Sequence, residues 1–404
     1  GGDGLMFGDP LLLDGVGWAE VWRGLVKVFI TFGFLLIATM FLVWFERKVI
    51  SDMQNRIGPN VAGPWGLLQT LADGMKAFFK EDLLPTKAER FLFRLAPVIA
   101  ATTAFVTFAV VPIGGVFNDG GSGTMSLFGR ETYVQLADPQ VGILLLLAMS
   151  SIAVYGVMLA GWASGSKYPL LGSVRATAQM VSYEAALGLS VAAVVLMASS
   201  LSTHDIVASQ SDSGFLGLAS WNLWATGFVP FVVFVIAATA ELNRPPFDLV
   251  EAEQELVGGF HTEYSSIRFA LFFLAEFMNT VTMSAIIVTL FLGGPSGPLL
   301  FGPDWIWPIL WFFLKLFCFL FMFVWFRATL PRLRYDQLMD LGWKVLIPIA
   351  LGWFLLLGAI RVGQQQDWNP VVVIIVSLGV LSVGALLLWS AIRKAAPEPE
   401  EVTV

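Results

Sequence analysis

Five ionisable side chains lie inside or at the border of long apolar runs of this sequence, where lipid would make their charge unfavourable. They are Glu46, Glu184, Glu241, Glu276 and Lys315. A charge at the centre of a bilayer costs about 2.5–3.5 kcal/mol. One such group could be tolerated by extending its charged end to the surface, but five together indicate a function. Because ionisation responds to burial and to neighbouring charge, such a series could take up and release protons.

A second unusual group lies in the connection over residues 241–268, which carries six acids and two bases. Its acids include Glu251, Glu253, Glu255 and Glu263, and its bases are Arg244 and Arg268. An acidic loop is ordinarily a solvated surface. Here apolar residues such as Leu249, Val250 and Phe260 are interleaved with the acids. We therefore expect a folded, protein-covered loop that holds its acids in a confined polar space.

The composition indicates which solvent these groups meet. Of the 404 residues 57% are hydrophobic and only 13% are charged, whereas soluble chains carry roughly 25% charged residues. The net charge of −7 and the scattered bases exclude a nucleic-acid-binding surface. Cys318 is the single cysteine, which excludes an intrachain disulfide and a cysteine-ligated iron–sulfur cluster. His204 and His261 lie outside the apolar runs, so we expect no metal site.

Nine apolar runs are long enough to span a bilayer, which takes about 20 residues in a helix. They cover residues 22–45, 92–112, 139–161, 178–199, 222–241, 268–292, 306–326, 343–361 and 370–391. The connections are too short for a soluble domain. The predicted fold is an all-α, polytopic transmembrane helix bundle of about nine spans.

Lysine and arginine residues predict the orientation of these spans, because positive charge accumulates in cytoplasmic loops. Eighteen of the 23 basic residues lie on one side, in connections 46–94, 162–177, 242–268 and 327–344 and in the tail. The N-terminus is then expected outside the cell and the C-terminus in the cytoplasm. That arrangement requires an odd number of spans, which agrees with nine.

Residues 64–82 differ from the spans in having apolar residues on one helical face only. The apolar positions are Leu67, Leu68, Leu71, Met75, Phe78 and Phe79, and Gln69, Asp73, Lys76 and Lys80 lie between them. This spacing predicts an amphipathic helix lying on the cytoplasmic face of the bilayer. The alternative is a helix that packs on other protein.

Four long motifs make the sequence similar to a known family. They are WFERKVISDMQNRIGPNVAGPWGLLQTLADGMKAFFKED (44–82), AGWASGSKYPLLGSVRATAQMVSYE (160–184), AELNRPPFDLVEAEQELVGGFHTEYSSIRFALFFLAE (240–276) and RATLPRLRYDQLMDLGWK (327–344). They resemble the H subunit family of bacterial NADH:quinone oxidoreductase, respiratory complex I, whose mitochondrial counterpart is NADH dehydrogenase subunit 1. The resemblance covers about residues 20–361 in order.

The resemblance implies a subunit at the junction of the membrane and peripheral arms, in the bacterial plasma membrane. Such a subunit forms much of the chamber that admits a lipid quinone, ubiquinone or menaquinone, and it begins an acidic path used in proton pumping. It carries no redox centre, because NADH, FMN and the iron–sulfur clusters belong to partner subunits. The implied partners are the iron–sulfur subunit with the terminal cluster, the peripheral quinone-site subunit, small membrane subunits and membrane lipids.

The resemblance also implies roles for individual residues. Matches to quinone-binding positions are Arg47, Arg56, Asp73, Arg244 and Phe273. Matches to the acidic loop are Glu251, Glu253, Glu255 and Glu263, and matches to the proton path are Glu184, Glu241 and Glu276. Lys315 falls at a family lysine position, and we expect it to pair with one of these carboxylates.

The sequence departs from the family in its C-terminal part. The family core has eight spans, and here a ninth follows at 370–391 with an acidic tail. We expect residues 1–361 to form the family's membrane domain and residues 362–404 to add a helix and a tail of unassigned role.

Three other functions compete with this interpretation. The first is the related membrane subunit of an ion-pumping hydrogenase that uses no quinone, against which the complete 44–82 and 240–276 motifs argue. The second is a free-standing transporter, which would show paired half-helices at its midplane. The third is a passive membrane scaffold.

Overall fold

The computed structural model describes residues 9–12, 17–117, 121–127, 129–211, 220–250, 256–299 and 303–395. This part of the chain is predominantly helical. Its helices are α1 (Trp18–Met53), α2 (Gln69–Phe79), α3 (Arg90–Phe108), α4 (Gly142–Ala163), α5 (Lys167–Ala198), α6 (Thr203–Ala208), α7 (Asn222–Ala225), α8 (Phe228–Glu241), α9 (Ser266–Phe291), α10 (Ile306–Thr329), α11 (Tyr335–Asp340), α12 (Ile347–Gln365) and α13 (Pro370–Ala395). A π-helical segment, Leu341–Leu346, joins α11 to α12, and short 3-10 turns occur at Pro10–Leu12, Pro64–Gly66 and Gly259–His261.

Seven of the described helices are long and apolar enough to cross a membrane: α1, α3, α4, α5, α9, α10 and the continuous helix Tyr335–Gln365. The two other predicted spans correspond to α8 and α13, whose apolar parts are shorter. Each of the nine predicted runs therefore overlaps a helix. The all-α polytopic bundle predicted from the sequence is confirmed.

The fifth predicted span, 222–241, is not one helix. It is divided into α7 and the 14-residue α8. Gly227 lies between them with φ 75°, in the left-handed region that favours glycine. The indole N–H of Trp353 on α12 donates to the carbonyl of Thr226 at 2.8 Å. This hydrogen bond satisfies a carbonyl that the break leaves without a helical donor.

The amphipathic helix is shorter than predicted, because α2 begins only at Gln69. Trp65 and Gly66 both have positive φ, and they end the preceding turn before a regular helix can start. Met75, Phe78 and Phe79 on α2 are 52%, 70% and 90% exposed. That unpacked apolar surface is typical of a helix that lies in a membrane interface.

Helix α9 lies at the centre of the bundle and packs against α1, α2, α3 and α10. Its second half, from Phe277 to Phe291, is almost entirely buried. Helices α3, α4, α5 and α8 form a layer beside it. At Gly156 an added Cβ would lie 3.2 Å from the backbone nitrogen of Ala100, so glycine permits α4 to approach α3 closely.

A two-stranded antiparallel sheet lies between α3 and α4, in a region for which the sequence predicted no element. Its strands are β1 (Thr124–Leu127) and β2 (Arg130–Tyr133), with Thr124 opposite Tyr133. Lys27 of α1 donates to Thr132 of β2 at 2.9 Å, which fastens the sheet to the start of α1.

Candidate functional site

Helices α1, α2 and α9 enclose a cavity of about 760 Å³, here called the apolar cavity. Its volume lies within the range of about 300–1,000 Å³ that is usual for small-molecule sites. Its apolar walls include Met40 and Val43 of α1, Leu71, Met75 and Phe78 of α2, and Ala270, Leu271 and Leu274 of α9. Helix α2 thus lines the cavity with part of its apolar face and also with polar residues such as Thr70, Asp73 and Lys76.

An ion pair lines the apolar cavity where α1 and α2 meet. Nη1 of Arg47 lies 2.7 Å from Oδ2 of Asp73, and both side chains are about two-fifths exposed. Nε2 of Gln69, one helical turn before Asp73, donates to the other carboxylate oxygen at 3.1 Å. Two residues that the family motifs assign to quinone binding are therefore brought together, in a position to form hydrogen bonds with a polar headgroup.

A second and smaller cavity of about 180 Å³ lies on the other side of α9, here called the acidic cavity. Its polar lining consists of Glu241, Glu276, His261, Asn243 and Asn279. The rest of the lining is apolar, but these five polar side chains offer the partners that an enclosed water molecule needs. Water could therefore connect carboxyl groups that do not touch one another.

The two cavities share a wall made of aromatic rings. Phe269 and Phe273 line both the apolar and the acidic cavity. They lie one helical turn apart on α9, with ring centroids separated by 6.4 Å. Phe273, predicted as a quinone-lining residue, therefore lies at the boundary between the two spaces.

Next to this wall Glu46, Arg244, Glu276 and Arg327 form an ion cluster, in which Glu46 and Arg244 are almost fully buried. Arg244 donates to Oε2 of Glu46 at 2.6 Å, and its Nη2 lies 3.5 Å from Oε1 of Glu276. Arg327 of α10 donates to the other carboxylate oxygen of Glu46. Burying so many charges is tolerated only when each has a close opposite partner.

Arg244 does not line the apolar cavity, although the family motifs assign it to quinone binding. Its guanidinium is only 2% exposed and lies 4.4 Å from the centre of the Phe277 ring. Its contacts with the carboxylates of Glu46 and Glu276 hold it inside the protein. The structure thus places Arg244 in the ion cluster, between α1 and α9.

Two adjacent serines of α4 hold two acids of the predicted proton path. The hydroxyl of Ser150 donates to Glu241, and the hydroxyl of Ser151 donates to Glu184. Neighbouring helix positions point about 100° apart, so the pair can serve acids on α8 and α5 at once. These serines were not predicted from the sequence, although a Ser-Ser pair inside an apolar run is a signal that points to them.

The remaining predicted residues are dispersed. Arg56 is exposed, bonds to Gln54 at 2.7 Å and does not line the apolar cavity. Glu263 is half-buried and lines neither cavity. Glu251, Glu253 and Glu255 lie outside the described residues. On either side of them Leu249, Val250 and Leu256 are buried, as expected for a protein-covered loop.

The expected pairing of Lys315 with a carboxylate is wrong. Its ammonium group donates to the backbone carbonyls of Leu292, Gly294 and Ser296 at 2.7, 3.0 and 2.7 Å. These carbonyls follow the C-terminus of α9, where a positive charge is favoured by the helix dipole. Three acceptors satisfy the three donors of the amine, so no carboxylate is needed.

His261 is a functional candidate that the sequence analysis set aside because it lies outside the apolar runs. It lies in the connection between α8 and α9 and contributes its imidazole ring to the lining of the acidic cavity. Burial lowers the pKa of His261 from its ordinary 6.5 to about 4, so the ring is neutral near pH 7. Within the described residues, no three His, Cys, Asp or Glu side chains are placed to hold a metal ion.

Comparison with known proteins gives a single family. The family described as NADH dehydrogenase matches residues 26–358. A protein of Frankia alni, named as the H subunit of NADH-quinone oxidoreductase, is 51% identical over 383 residues, which is 93% of this chain and 81% of the relative. The proteins of the same name from Frankia casuarinae and Streptomyces avermitilis are 52% and 47% identical, covering 92% and 86% of this chain and 79% and 75% of the relatives.

Proposed function

The chain belongs to the NADH dehydrogenase family, and from this we propose that it is the H-type membrane subunit of a proton-pumping NADH:quinone oxidoreductase. It is a multi-pass membrane protein and part of an enzyme complex. In this proposal the apolar cavity admits the lipid quinone, and Glu184, Glu241 and Glu276 begin the path that couples quinone reduction to proton movement. The observation that carries it is the pair of neighbouring cavities that share Phe269 and Phe273 of α9 as lining residues.

The apolar cavity suits a quinone because a quinone has both an apolar tail and a polar ring. The walls of α2 and α9 offer apolar contact for the isoprenoid tail, and the Arg47–Asp73 pair offers a hydrogen-bond donor and an acceptor for the ring. Reduction to the quinol consumes two electrons, which come from NADH through the clusters of partner subunits, and two protons. This chain's contribution is to bind and orient the quinone.

Coupling would proceed through the ion cluster. A reduced quinone that has not yet taken up its protons is negatively charged, and that charge favours protonation of nearby carboxyl groups. Arg244 joins Glu46 of α1, which precedes Arg47 in the chain, to Glu276 in the acidic cavity. A change of charge on one side can therefore shift Arg244 and alter the proton affinity of Glu276 on the other.

We further propose the assembly and orientation expected of such a subunit. The partners are the iron–sulfur subunit with the terminal cluster, the peripheral quinone-site subunit and small membrane subunits. The chain would lie in the plasma membrane with its N-terminus outside and its C-terminus in the cytoplasm. Residues 1–361 would form the family core, and residues 362–404 an addition to it.

The quinone chamber is tested by filling it from a position with free space. Gly74 of α2 lines the apolar cavity, and an added Cβ would meet nothing within 4 Å. Gly74→Leu in the assembled complex should raise the KM for a long-tailed quinone about tenfold, which corresponds to roughly 1.4 kcal/mol of lost binding. A short-tailed quinone should be affected less.

The matched control is Gly33→Leu on α1, where an added Cβ also meets nothing within 4 Å but which does not line the cavity. It should leave the KM for both quinones unchanged. An unchanged KM for the long-tailed quinone in Gly74→Leu would show that the apolar cavity is not the quinone chamber.

The proton path is tested by Glu276→Gln, which keeps the shape of the side chain and removes its proton exchange. We expect NADH-driven proton pumping to fall strongly in membrane vesicles. Glu131→Gln, on the exposed face of β2, is the control and should pump normally. If quinone reduction and pumping are both normal in Glu276→Gln, the role of Glu276 is wrong.

The rival function, an ion-pumping hydrogenase subunit without quinone, is not favoured by the names of the relatives. Purification of the intact complex in mild detergent, followed by identification of its companion subunits and of any extracted quinone, separates the two. Iron–sulfur and FMN-carrying companions together with a lipid quinone would support the oxidoreductase.

A further inference from the structure

The wall between the two cavities has an unusual construction for a boundary between lipid-accessible and polar space. Phe269, Phe273 and Phe277 follow one another at four-residue intervals on α9, so their rings lie along one face of the helix. The centroids of Phe273 and Phe277 are 4.6 Å apart, and Phe277 lies under the guanidinium of Arg244. The Phe277 end of this row of rings is therefore held in place by the ion cluster.

The other end of the row is Phe269, whose ring is held by contacts with His261 and Phe273. Its ring is 5.3 Å from the imidazole of His261 at an interplanar angle of 66°, an edge-to-face contact. On its other side it stacks at 6.4 Å on Phe273. With 40% of its surface exposed, Phe269 borders open space on both sides, since it lines both cavities.

The chemistry on the two sides makes an open connection harmful. If water ran continuously from the acidic cavity into the quinone cavity, protons could pass between Glu276 or Glu241 and the quinone directly. Charge changes at the quinone would then be neutralised by that short route, and the acids would not be driven through a pumping cycle. Apolar constrictions exclude water by dewetting, which breaks such a chain.

We propose that Phe269 is a barrier residue that separates the acidic cavity from the quinone cavity and keeps protons of the two spaces apart. The ring of His261 holds it in place from the side of the acidic cavity. This inference rests on the proposed function, because it needs the apolar cavity to hold quinone and the acids to carry protons. It assigns roles to Phe269 and His261, neither of which the family motifs singled out above.

The test is the number of protons pumped per NADH oxidised, measured in inverted membrane vesicles that contain the assembled complex. Phe269→Ala opens the wall, and the ratio should fall roughly twofold whatever the rate of turnover, because closure of a site is what prevents proton leakage. Phe269→Leu fills most of the same volume and should keep the ratio of the parent complex. A structural role alone would lower the amount of complex and leave this ratio unchanged.

Phe317→Ala is the matched control. Phe317 of α10 has nearly the same exposed fraction, 41%, and also contacts another ring, Phe45 at 5.0 Å, but it lines neither cavity. It should keep the parent ratio and also report any general leak of the vesicles. If the Phe269→Ala complex does not assemble, Phe269→Val takes its place with a smaller expected fall.

Three results would overturn the inference, and the first two separate it from the proposed function. If Phe269→Ala pumps as many protons per NADH as the parent complex while Glu276→Gln loses pumping, the barrier is refuted and the acid path is supported. If Phe269→Ala and Glu276→Gln both pump as many protons per NADH as the parent complex, the barrier and the acid path are both refuted. A reduced ratio in Phe269→Leu as well as in Phe269→Ala would show that the volume of the ring is not what matters.

Discussion

Nη2 of Arg244 lies 3.5 Å from Oε1 of Glu276, while Nη1 of the same guanidinium lies 2.6 Å from Glu46. One arginine therefore neutralises an acid of α1 and an acid of α9. Glu46 and Arg244 are almost fully buried, whereas the Glu276 side chain is 29% exposed. Glu276 is thus the more exposed of the two carboxyl groups, and Arg244 contacts both of them.

Removing this shared base should destabilise the complex far more than removing an exposed one. Arg244→Met leaves two acids with reduced compensation, and breaking a buried pair costs about 3–5 kcal/mol. Arg47→Met removes a half-exposed partner of Asp73, and such pairs contribute at most about 1 kcal/mol. We expect a lower dissociation temperature of the purified complex for Arg244→Met only, and equal losses would contradict the buried cluster.

Lys315 should prove to stabilise the connection between α9 and α10. Lys315→Met leaves three partly buried carbonyls without their donor, at a cost on the order of 1–3 kcal/mol. We expect reduced thermal stability and an unchanged number of protons per NADH. Lys344→Met, which removes an exposed lysine paired with Asp340, is the control. A lower proton ratio in Lys315→Met would assign this amine to the proton path.

The lowered pKa of His261 predicts how the thermal stability of the complex depends on pH. The pKa is about 4 in the folded protein and 6.5 ordinarily, so the unfolded chain binds a proton more readily. The stabilising contribution of the neutral ring is present above pH 6.5 and is lost as the pH falls from 6.5 towards 4. Thermal unfolding followed from pH 7.5 to 5 should be more pH-dependent in the parent complex than in His261→Gln.

The comparison isolates the imidazole because Glu241 and Glu276, the acids of the same cavity, are present in both complexes. Identical pH dependence in the two would mean that His261 is hydrated and titrates normally in the assembled enzyme.

The last helix should be dispensable for catalysis. Helix α13 packs chiefly on α12, and its residues line neither the apolar nor the acidic cavity. A chain that ends at Gln365 should therefore assemble and reduce quinone at the parent rate. A chain that ends at Arg332 also lacks α12, which packs on α5, and should not assemble. If the chain that ends at Gln365 also fails to assemble, α13 is needed to bind a partner subunit.

The sequence predicted those parts of the site that depend on periodicity and on the cost of charge in lipid. Periodicity predicted the amphipathic helix α2, and the cost of charge in apolar runs singled out Glu241 and Glu276. The assignment of Arg47 and Asp73 to one site came from the family motifs. Contacts that depend on tertiary packing were not predictable in this way. The carbonyl partners of Lys315 are backbone groups, which every residue carries, and the ring of His261 enters its cavity only because of how the loop folds.

The same limit applies to Arg244, which the family motif assigned to quinone binding and which the fold places in the ion cluster. Its partner Glu46 is 198 residues away in sequence. The break at Gly227 was hidden because the flanking residues are apolar on both sides, and hydropathy does not register backbone conformation.

The contact of Glu46 with Arg327 also bears on how the protein is made. The two residues are 281 positions apart, and Arg244 comes between them in the chain. During synthesis Glu46 leaves the ribosome long before either base exists, so its pairs with Arg244 and Arg327 form only after α10 has been made. Until then its nearest bases are Arg47 and Lys48, which follow it directly in the chain. The ion cluster is therefore completed late, when α10 docks.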